Sequence, residues 1–226
     1  MLKAVIFDLD GVIADSHPLH YAAWKTLLNE QDRDVTESEM DFILAGHPRR
    51  EILRHYLGDL PENRMEILGK RKEELYRGSA HRLHPMPGVL TLLDELEAAG
   101  IAKAVATSAT PERTWETLKS FNIDQRFSAV LAGGNGKPKP NPEIFLRAAA
   151  MLKVNTDEAL VIEDSVAGVQ AAKAAGMKCV GYTSEARFST LSGAGADQVI
   201  SAFIPGVGSQ FQEMFLHHGA AVPLSS

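Results

Sequence analysis

Six short apolar segments recur along the chain, and longer amphipathic stretches separate them. Each segment is four or five residues long and consists mainly of small and branched aliphatic residues. Segments that are apolar at every position suit strands buried on both faces, and their alternation with helices is typical of a parallel sheet covered on both sides. We therefore predict an α/β fold with a doubly wound parallel sheet, whose strands lie at residues 4–7, 102–106, 129–132, 159–162, 179–182 and 199–203.

The amphipathic stretches carry the start and stop signals of helices. Apolar residues at i, i+3, i+4 and i+7 mark one helix over residues 89–96, and Gly100 ends it. A second helix begins at Thr110 with Pro111 in its first position, and a third begins near Asn141. These helices lie between predicted strands, as strand–helix–strand units require.

One long stretch breaks this alternation. Residues 16–83 are helical in pattern throughout, rich in Leu, Glu, Arg and Lys, and contain no convincing strand. We predict that they form an inserted helical domain, while residues 1–15 and 84–226 together form the sheet domain. Pro85 marks the return to the sheet, and the small and polar end from His217 is expected to be a frayed tail.

Composition and charge narrow the classes of function. The chain has 226 residues, 45% of them hydrophobic, and a formal charge of −6 from 29 acidic and 23 basic residues with no basic run, which disfavours nucleic acid as a partner. The single cysteine, Cys179, can form no internal disulfide, in keeping with a reducing compartment. Neither a signal-peptide core nor 18 uninterrupted apolar residues occur. We expect a soluble cytoplasmic protein with no membrane partner.

Two carboxylates follow the first predicted strand directly. Asp8 and Asp10 are two residues apart, so in an extended chain they face the same way, and Gly11 allows a sharp turn after them. In an α/β sheet, functional groups lie beyond the carboxyl ends of the strands. The pKa values of two adjacent carboxylates tend to move apart unless a cation between them offsets their repulsion. This difference in pKa suits one carboxylate as a nucleophile and the other as a carrier of protons. A solvated acidic turn is the alternative interpretation.

Three further segments carry polar residues of complementary kinds. Ser108 follows the second strand and could hold a phosphate oxygen, although a helix cap would give the same pattern. Lys137 and Lys139 lie in a proline-stiffened loop before a helix, where a lysine suits a phosphate and a solvated lysine is equally plausible. Glu163 and Asp164 end a buried strand and suggest oxygen ligands for a metal, or else an acidic helix start.

The order and spacing of these segments resemble the haloacid dehalogenase superfamily, in the subfamily of β-phosphoglucomutase and sugar phosphatases. Its signature Asp-x-Asp-Gly-Val appears as residues 8–12, its hydroxyl motif as Ser108, its lysine motif Lys-Pro-x-Pro as residues 139–142 and its acidic motif as residues 163–165. The family usually places this lysine six residues before an aromatic residue, and Phe145 then selects Lys139 over Lys137. The resemblance covers nearly the whole chain and implies a Rossmann-like core with an inserted helical cap.

The resemblance implies covalent catalysis by the first motif. Asp8 would attack the substrate phosphorus and form an aspartyl phosphate, while Asp10 would protonate the leaving oxygen and then activate the acceptor. The approach of a phosphate dianion to an ionised Asp8 is unfavourable in free energy, because two unit charges about 4 Å apart repel by roughly 4 kcal/mol at an effective dielectric of about 20. Cations must therefore cancel this repulsion.

The resemblance also assigns those cations. Mg²⁺ would be held by Asp8, the backbone carbonyl of Asp10 and Asp164, with Glu163 in support. Lys139 would neutralise charge from the other side. Ser108 and backbone N–H groups would fix the transferring oxygens.

Five residues of the predicted cap match substrate-contacting positions of the subfamily: His20, Trp24, Gly46, Arg49 and Lys72. From the residues alone, Trp24 suits the core of the cap equally well. His20 could be a partly buried structural residue and Lys72 an exposed helical charge.

The expected substrate is a small phosphorylated metabolite, most simply a sugar phosphate, and hydrolysis is the leading reaction. A phosphohexomutase of the β-phosphoglucomutase type is the alternative, because Arg49 and Lys72 could grip a second phosphate. Pro48 before a pair of arginines departs from the mutase pattern. A dehalogenase is a remote alternative, since it has no use for Asp10 or for paired metal-binding acids, and a non-catalytic binding module is disfavoured because every expected catalytic residue type is present.

Overall fold

The computed structural model describes residues 1–36, 39, 41–44, 47–133 and 136–216. Within these residues the chain forms one six-stranded sheet in the order β3-β2-β1-β4-β5-β6, with every neighbouring pair parallel. The strands are β1 Ala4–Phe7, β2 Ala102–Ala106, β3 Ala129–Leu131, β4 Ala159–Glu163, β5 Lys178–Tyr182 and β6 Gln198–Ile200. The predicted α/β class with a doubly wound parallel sheet is confirmed.

Ten α-helices accompany the sheet in the described residues. They are α1 His17–Asn29, α2 Asp41–Leu44, α3 Arg49–Leu57, α4 Glu62–Gly78, α5 Val89–Ala98, α6 Pro111–Ser120, α7 Glu143–Leu152, α8 Val166–Ala174, α9 Phe188–Gly193 and α10 Val207–Glu213. The three helices that the sequence predicts correspond to α5, α6 and α7, and Thr110 caps α6 by accepting from the Arg113 N–H.

The central strand shows why the apolar segments have no polar face. Val5 and Phe7 of β1 pack into one hydrophobic cluster, which α5 and α10 complete. Ile6 points the other way and joins a second cluster that contains residues of α7 and α8. Because successive side chains of a strand point to opposite faces, a strand covered on both sides is apolar at nearly every position; Lys103 of β2 is a buried exception and pairs with Glu97.

The last strand was predicted wrongly at its end. The apolar run continues to Phe203, but β6 stops at Ile200. Phe203 is buried because its ring stacks on that of Tyr182, with centroids 4.4 Å apart, and not because it pairs in the sheet. The apolar signal there reflects packing of the chain after the strand.

Residues 17–82 contain no strand in their described part and hold four helices, α1 to α4. They form a third hydrophobic cluster of their own, centred on residues such as Trp24, Leu28, Leu53 and Leu68. We propose that this segment is a cap over the carboxyl edge of the sheet, as the sequence predicts. In the part of the chain that the structure describes, no helix has the length and hydrophobicity needed to cross a membrane. The predicted tail from His217 lies outside the described residues.

Candidate active site

The polar residues of the four sequence segments meet at one edge of the sheet. Asp8 follows β1, Ser108 follows β2, and Asp164 follows β4, while Lys139 arrives from the segment between β3 and α7. Carboxyl ends of parallel strands share one edge, so residues far apart in the sequence become neighbours. All of them line one cavity of about 300 Å³, together with the cap residues His20, Trp24, Arg49 and Lys72.

A buried lysine joins two of the acids. The Nζ atom of Lys139 donates to Asp8 Oδ1 and to Glu163 Oε1, each at 2.5 Å, and to the carbonyl oxygen of Ala106 at 3.1 Å. Lys137 of the same loop has an exposed side chain. Of the two lysines left open by the sequence, only Lys139 touches the nucleophile that we predict.

The acids themselves form a compact group. Asp8, Glu163 and Asp164 are all buried, and one carboxylate oxygen of each lies within 4.8 Å of the others. Glu163 is fixed by two hydrogen bonds, from the backbone N–H and the hydroxyl of Ser165, both at 2.9 Å. An all-oxygen, carboxylate-rich set suits a hard divalent cation.

Two glycines make room for these carboxylates. A Cβ atom on Gly168 would lie 1.8 Å from the carboxyl carbon of Glu163, so only glycine fits at that turn of α8. Gly11 has φ +72°, and a Cβ atom there would lie 2.5 Å from Asp164 Oδ2 and 2.6 Å from His17 Nε2. The glycine that the sequence relates to a sharp turn therefore also allows close approach of the acids.

Burial and neighbouring charge give the nucleophile that we predict an unusual ionisation. Burial raises the pKa of Asp8, Lys139 opposes this rise, and the carboxylates of Glu163 and Asp164 add to it. Burial alone would lower the pKa of Lys139, but Asp8 and Glu163 outweigh it and raise that pKa. An additional cation beside Asp8 would favour the ionised form that attack on phosphorus requires.

Asp10 has a strong partner that the sequence interpretation missed. Arg113, only 8% exposed, donates from Nη1 to Asp10 Oδ1 and from Nη2 to Asp10 Oδ2, both at 2.8 Å. Burial would raise the pKa of Asp10, but Arg113 and His20 hold it well below its usual range. A cation in the first turn of a helix opposes the helix dipole, and this was the one signal in the sequence that marked Arg113.

His17 is a second residue that sequence reasoning left without a role. Its Nε2 lies 2.7 Å from Asp164 Oδ2, and this contact raises the pKa of His17 even though burial would lower it. The sequence carried no signal for the pair, because the two residues are 147 positions apart.

The cap places its predicted residues against the same cavity. The Nζ atom of Lys72 lies 2.7 Å from His20 Nδ1, and the other ring nitrogen of His20 lies 3.3 Å from Asp10 Oδ1. Lys72 is buried, so the alternative of an exposed helical charge is wrong, and burial lowers its pKa to about 8, with Arg113 adding to the effect. Trp24 is 3% exposed and serves the core of the cap while also lining the cavity.

Two further cap positions differ in what the structure says of them. Arg49 donates from Nη1 to the backbone carbonyl of Gly69 at 3.2 Å, which holds its side chain along the cavity wall. Gly46, also predicted to contact substrate, lies outside the described residues.

Ser108 lines the cavity with an exposed side chain, next to the buried Thr107, whose hydroxyl accepts from the N–H of Ala109.

The sequence profile of the haloacid dehalogenase-like hydrolases matches residues 5–182. The chain belongs to this family. The chain is 33% identical over 180 residues to the phosphorylated carbohydrates phosphatase of Thermotoga maritima, covering 78% of this chain and 83% of that protein. It is 35% identical over 190 residues to the β-phosphoglucomutase of Bacillus subtilis, with 80% and 83% covered.

A solved structure has the same architecture. The crystal structure of β-phosphoglucomutase from Clostridium difficile matches this chain with a TM-score of 0.83 at 26% identity, over 96% of this chain and 98% of that one. Both relatives named above act in phosphoryl transfer by their names, as a phosphatase and a phosphoglucomutase. The chain is therefore an enzyme of the hydrolase or phosphotransferase type.

Proposed function

We propose that this protein is a Mg²⁺-dependent phosphomonoester hydrolase that acts on a small phosphorylated sugar through an aspartyl phosphate on Asp8. The observation that carries the proposal is the contact of Asp8 with Lys139 at 2.5 Å inside a buried group that also holds Glu163 and Asp164. A buried carboxylate beside a fixed ammonium group and two further acids suits attack on a phosphate dianion better than it suits a purely structural role.

The residues divide the work of the reaction. Asp8 forms a bond to phosphorus as the bond from phosphorus to the ester oxygen breaks. Asp10 is ionised while Arg113 pairs with it, so it must leave Arg113 and take up a proton from solvent before it gives that proton to the leaving oxygen. Asp10 then takes a proton from water, which attacks the phosphoryl group and returns Asp8 to its free form. Lys139 neutralises developing charge on the transferring oxygens, and Ser108 donates a hydrogen bond to one of them.

The acidic group fits the metal that the family uses. Asp8, Glu163 and Asp164 offer hard oxygen donors within reach of a single ion, and Gly168 leaves the space that Glu163 occupies. Asp8, the backbone carbonyl of Asp10 and Asp164 would hold Mg²⁺, with Glu163 in support. Such an ion supplies positive charge against the phosphate and keeps Asp8 ionised.

The nucleophile is tested by Asp8→Asn, which keeps the shape of the side chain and removes its charge. We expect loss of turnover on p-nitrophenyl phosphate and on a panel of hexose and pentose phosphates, with an unchanged far-UV CD spectrum. Acid-quenched wild-type enzyme should carry one phosphoryl group on the peptide that contains Asp8. Asp15→Asn removes an exposed acid from the same turn region and should stay active. More than a tenth of wild-type activity in Asp8→Asn would overturn the mechanism.

A phosphohexomutase is the second candidate, because Arg49 and Lys72 line the same cavity as Asp8. A mutase must hold two phosphates while its sugar bisphosphate turns over, and these cap cations suit the phosphate that leaves the sheet edge. In a mutase, Arg49→Ala and Lys72→Ala should collapse isomerisation while slow phosphate release survives. In a phosphatase, they should mainly raise KM for the best sugar phosphate and spare a small generic ester.

The wild-type enzyme separates the two candidates directly. β-Glucose 1-phosphate is supplied with Mg²⁺ and a trace of glucose 1,6-bisphosphate, and isomerised product is measured against free phosphate. Phosphate in excess supports the phosphatase. A ratio of isomerised product to phosphate far above one would refute the phosphatase assignment and establish the mutase.

A further inference from the structure

Arg113 connects the sheet edge to the cap at the residue on which acid–base chemistry depends. It extends from the first turn of α6, and its two terminal nitrogens donate hydrogen bonds of 2.8 Å to the two carboxylate oxygens of Asp10, one to each. Its guanidinium carbon lies 5.0 Å above the ring of Tyr76 on α4. The Nε–H of Arg113 is buried and donates to no acceptor among the described residues.

This pairing cannot persist through a catalytic cycle if Asp10 has the role proposed above, on which the present inference rests. The planar guanidinium uses the lone pair on each oxygen that faces it and so fixes the orientation of the carboxylate, which cannot rotate toward the leaving group of a substrate while both contacts hold. Asp10 must therefore turn at least one oxygen away from Arg113. A buried guanidinium that loses its anion is costly, so the exchange needs a second acceptor close by.

Glu73 on α4 offers that acceptor. Its Oε1 atom lies 3.9 Å from Arg113 Nε, is buried, and accepts no hydrogen bond within the described part of the chain. The same oxygen lies 3.8 Å from Arg77 Nε, one helical turn further along α4, again without a hydrogen bond. Glu73 Oε1 is thus a buried acceptor without a hydrogen bond, and it faces Arg113 Nε, a buried donor without one. A shift of the guanidinium by about 1 Å would bring the two atoms within hydrogen-bonding distance.

We propose that Arg113 and Glu73 are positioning residues for Asp10: Arg113 passes from the carboxylate of Asp10 to that of Glu73 when substrate enters, and so releases Asp10 toward the leaving oxygen. Arg113 belongs to the sheet domain and Glu73 to the cap, so the exchange occurs only while the cap covers the site. The acid–base residue is thereby free when substrate is enclosed and held when it is not.

The proposal is tested by a double-mutant cycle on the full-length enzyme with Mg²⁺ and its best sugar phosphate. Glu73→Gln keeps the size of the side chain but removes the charge that would receive Arg113, so kcat should fall about tenfold with KM unchanged. In an Arg113→Ala background, where no guanidinium remains to be received, Glu73→Gln should cause no further loss. Equal losses in both backgrounds would overturn the proposal, because Glu73 would then act without Arg113.

Two controls separate this role from others. Glu74→Gln changes the neighbouring exposed acid, which pairs with Arg71, and Arg77→Gln removes the other arginine near Glu73; both should keep wild-type kcat. A rise in KM without a fall in kcat for Glu73→Gln would show a substrate contact and would also overturn the proposal. If Asp8→Asn is inactive while Glu73→Gln behaves as wild type, the exchange fails and the proposed function stands.

Discussion

Replacing Lys139 by Met probes the charge balance of the site in the folded protein. The side chains of Lys139, Asp8 and Glu163 are 6%, 9% and 1% exposed, and two contacts of 2.5 Å join them. Lys139→Met keeps most of the volume of the side chain but leaves two buried carboxylates without their cation. Breaking a buried pair by removing one partner costs about 3–5 kcal/mol, because the remaining charge is uncompensated.

That cost predicts a shift in thermal unfolding. One kcal/mol corresponds to about 2–4 °C for a chain of this size, so Tm should fall by roughly 6–20 °C in metal-free buffer. Saturating Mg²⁺ should narrow the difference, because a cation bound to Asp8 and Glu163 supplies part of the missing charge. The assay is differential scanning calorimetry of both proteins with EDTA and with Mg²⁺, accompanied by phosphate release from the best substrate.

Lys137→Met is the matched control, since it removes an exposed lysine from the same loop. It should leave Tm and activity close to wild type, whereas Lys139→Met should lose activity. Equal effects of the two substitutions, or an unchanged Tm for Lys139→Met without metal, would refute the assignment of Lys139 as the buried counter-charge.

Three other predictions concern metal, pH and a tight glycine. Phosphate release should stop in EDTA, return with Mg²⁺ and recover poorly with Ca²⁺, whose looser coordination misplaces the attacking carboxylate. Burial, reinforced by Lys72, lowers the pKa of His20 to about 4. Between pH 6.5 and 4 the unfolded chain therefore binds more protons than the folded one, and the free energy of unfolding decreases as the pH is lowered. In urea unfolding, His20→Gln should show a decrease over this range that is smaller by up to about 3 kcal/mol. Gly168→Ala should abolish activity by displacing Glu163, whereas Gly78→Ala, with nothing within 4 Å of its new Cβ atom, should stabilise the protein by up to about 1 kcal/mol in the same unfolding assay.

The sheet was predictable because its signal is local. Strands β1 and β4 are buried at every position and β2, β3 and β5 at all but one, and a run such as residues 159–162 has no polar face that could belong to an exposed helix. The end of β6 was not predictable, because Phe203 is apolar for a reason that lies elsewhere in the sequence, in the ring of Tyr182. Burial leaves a pattern in the sequence, whereas the element that causes the burial does not.

The acids of the site could be predicted for a related reason, whereas Lys139 was selected over Lys137 by its spacing to Phe145, which the resemblance to the family supplies. Asp8 and Glu163 stand where buried strands end, and the topology of a parallel sheet brings such positions to one edge.

Arg113 has no such marker of place. Its partner Asp10 lies 103 positions away, and the ring of Tyr76, over which the guanidinium lies, belongs to α4, so neither contact shows in the sequence pattern of α6.

Besides Lys139, the cations Arg49, Lys72 and Arg113 line the cavity, and their partners explain why its cap end suits an anionic or strongly polar group. Arg113 is neutralised by the carboxylate of Asp10. Arg49 donates to a backbone carbonyl and Lys72 lies against an imidazole, and such partners satisfy hydrogen bonds without cancelling charge. The imidazole is neutral near pH 7 because burial and the adjacent Lys72 depress its pKa. The hydrogen bonds of Arg49 and Lys72 thus go to neutral groups, although Glu73 lines the same cavity, and these two cations favour a substrate with its phosphate at the sheet edge and its hydroxyls, or a second phosphate, beside them.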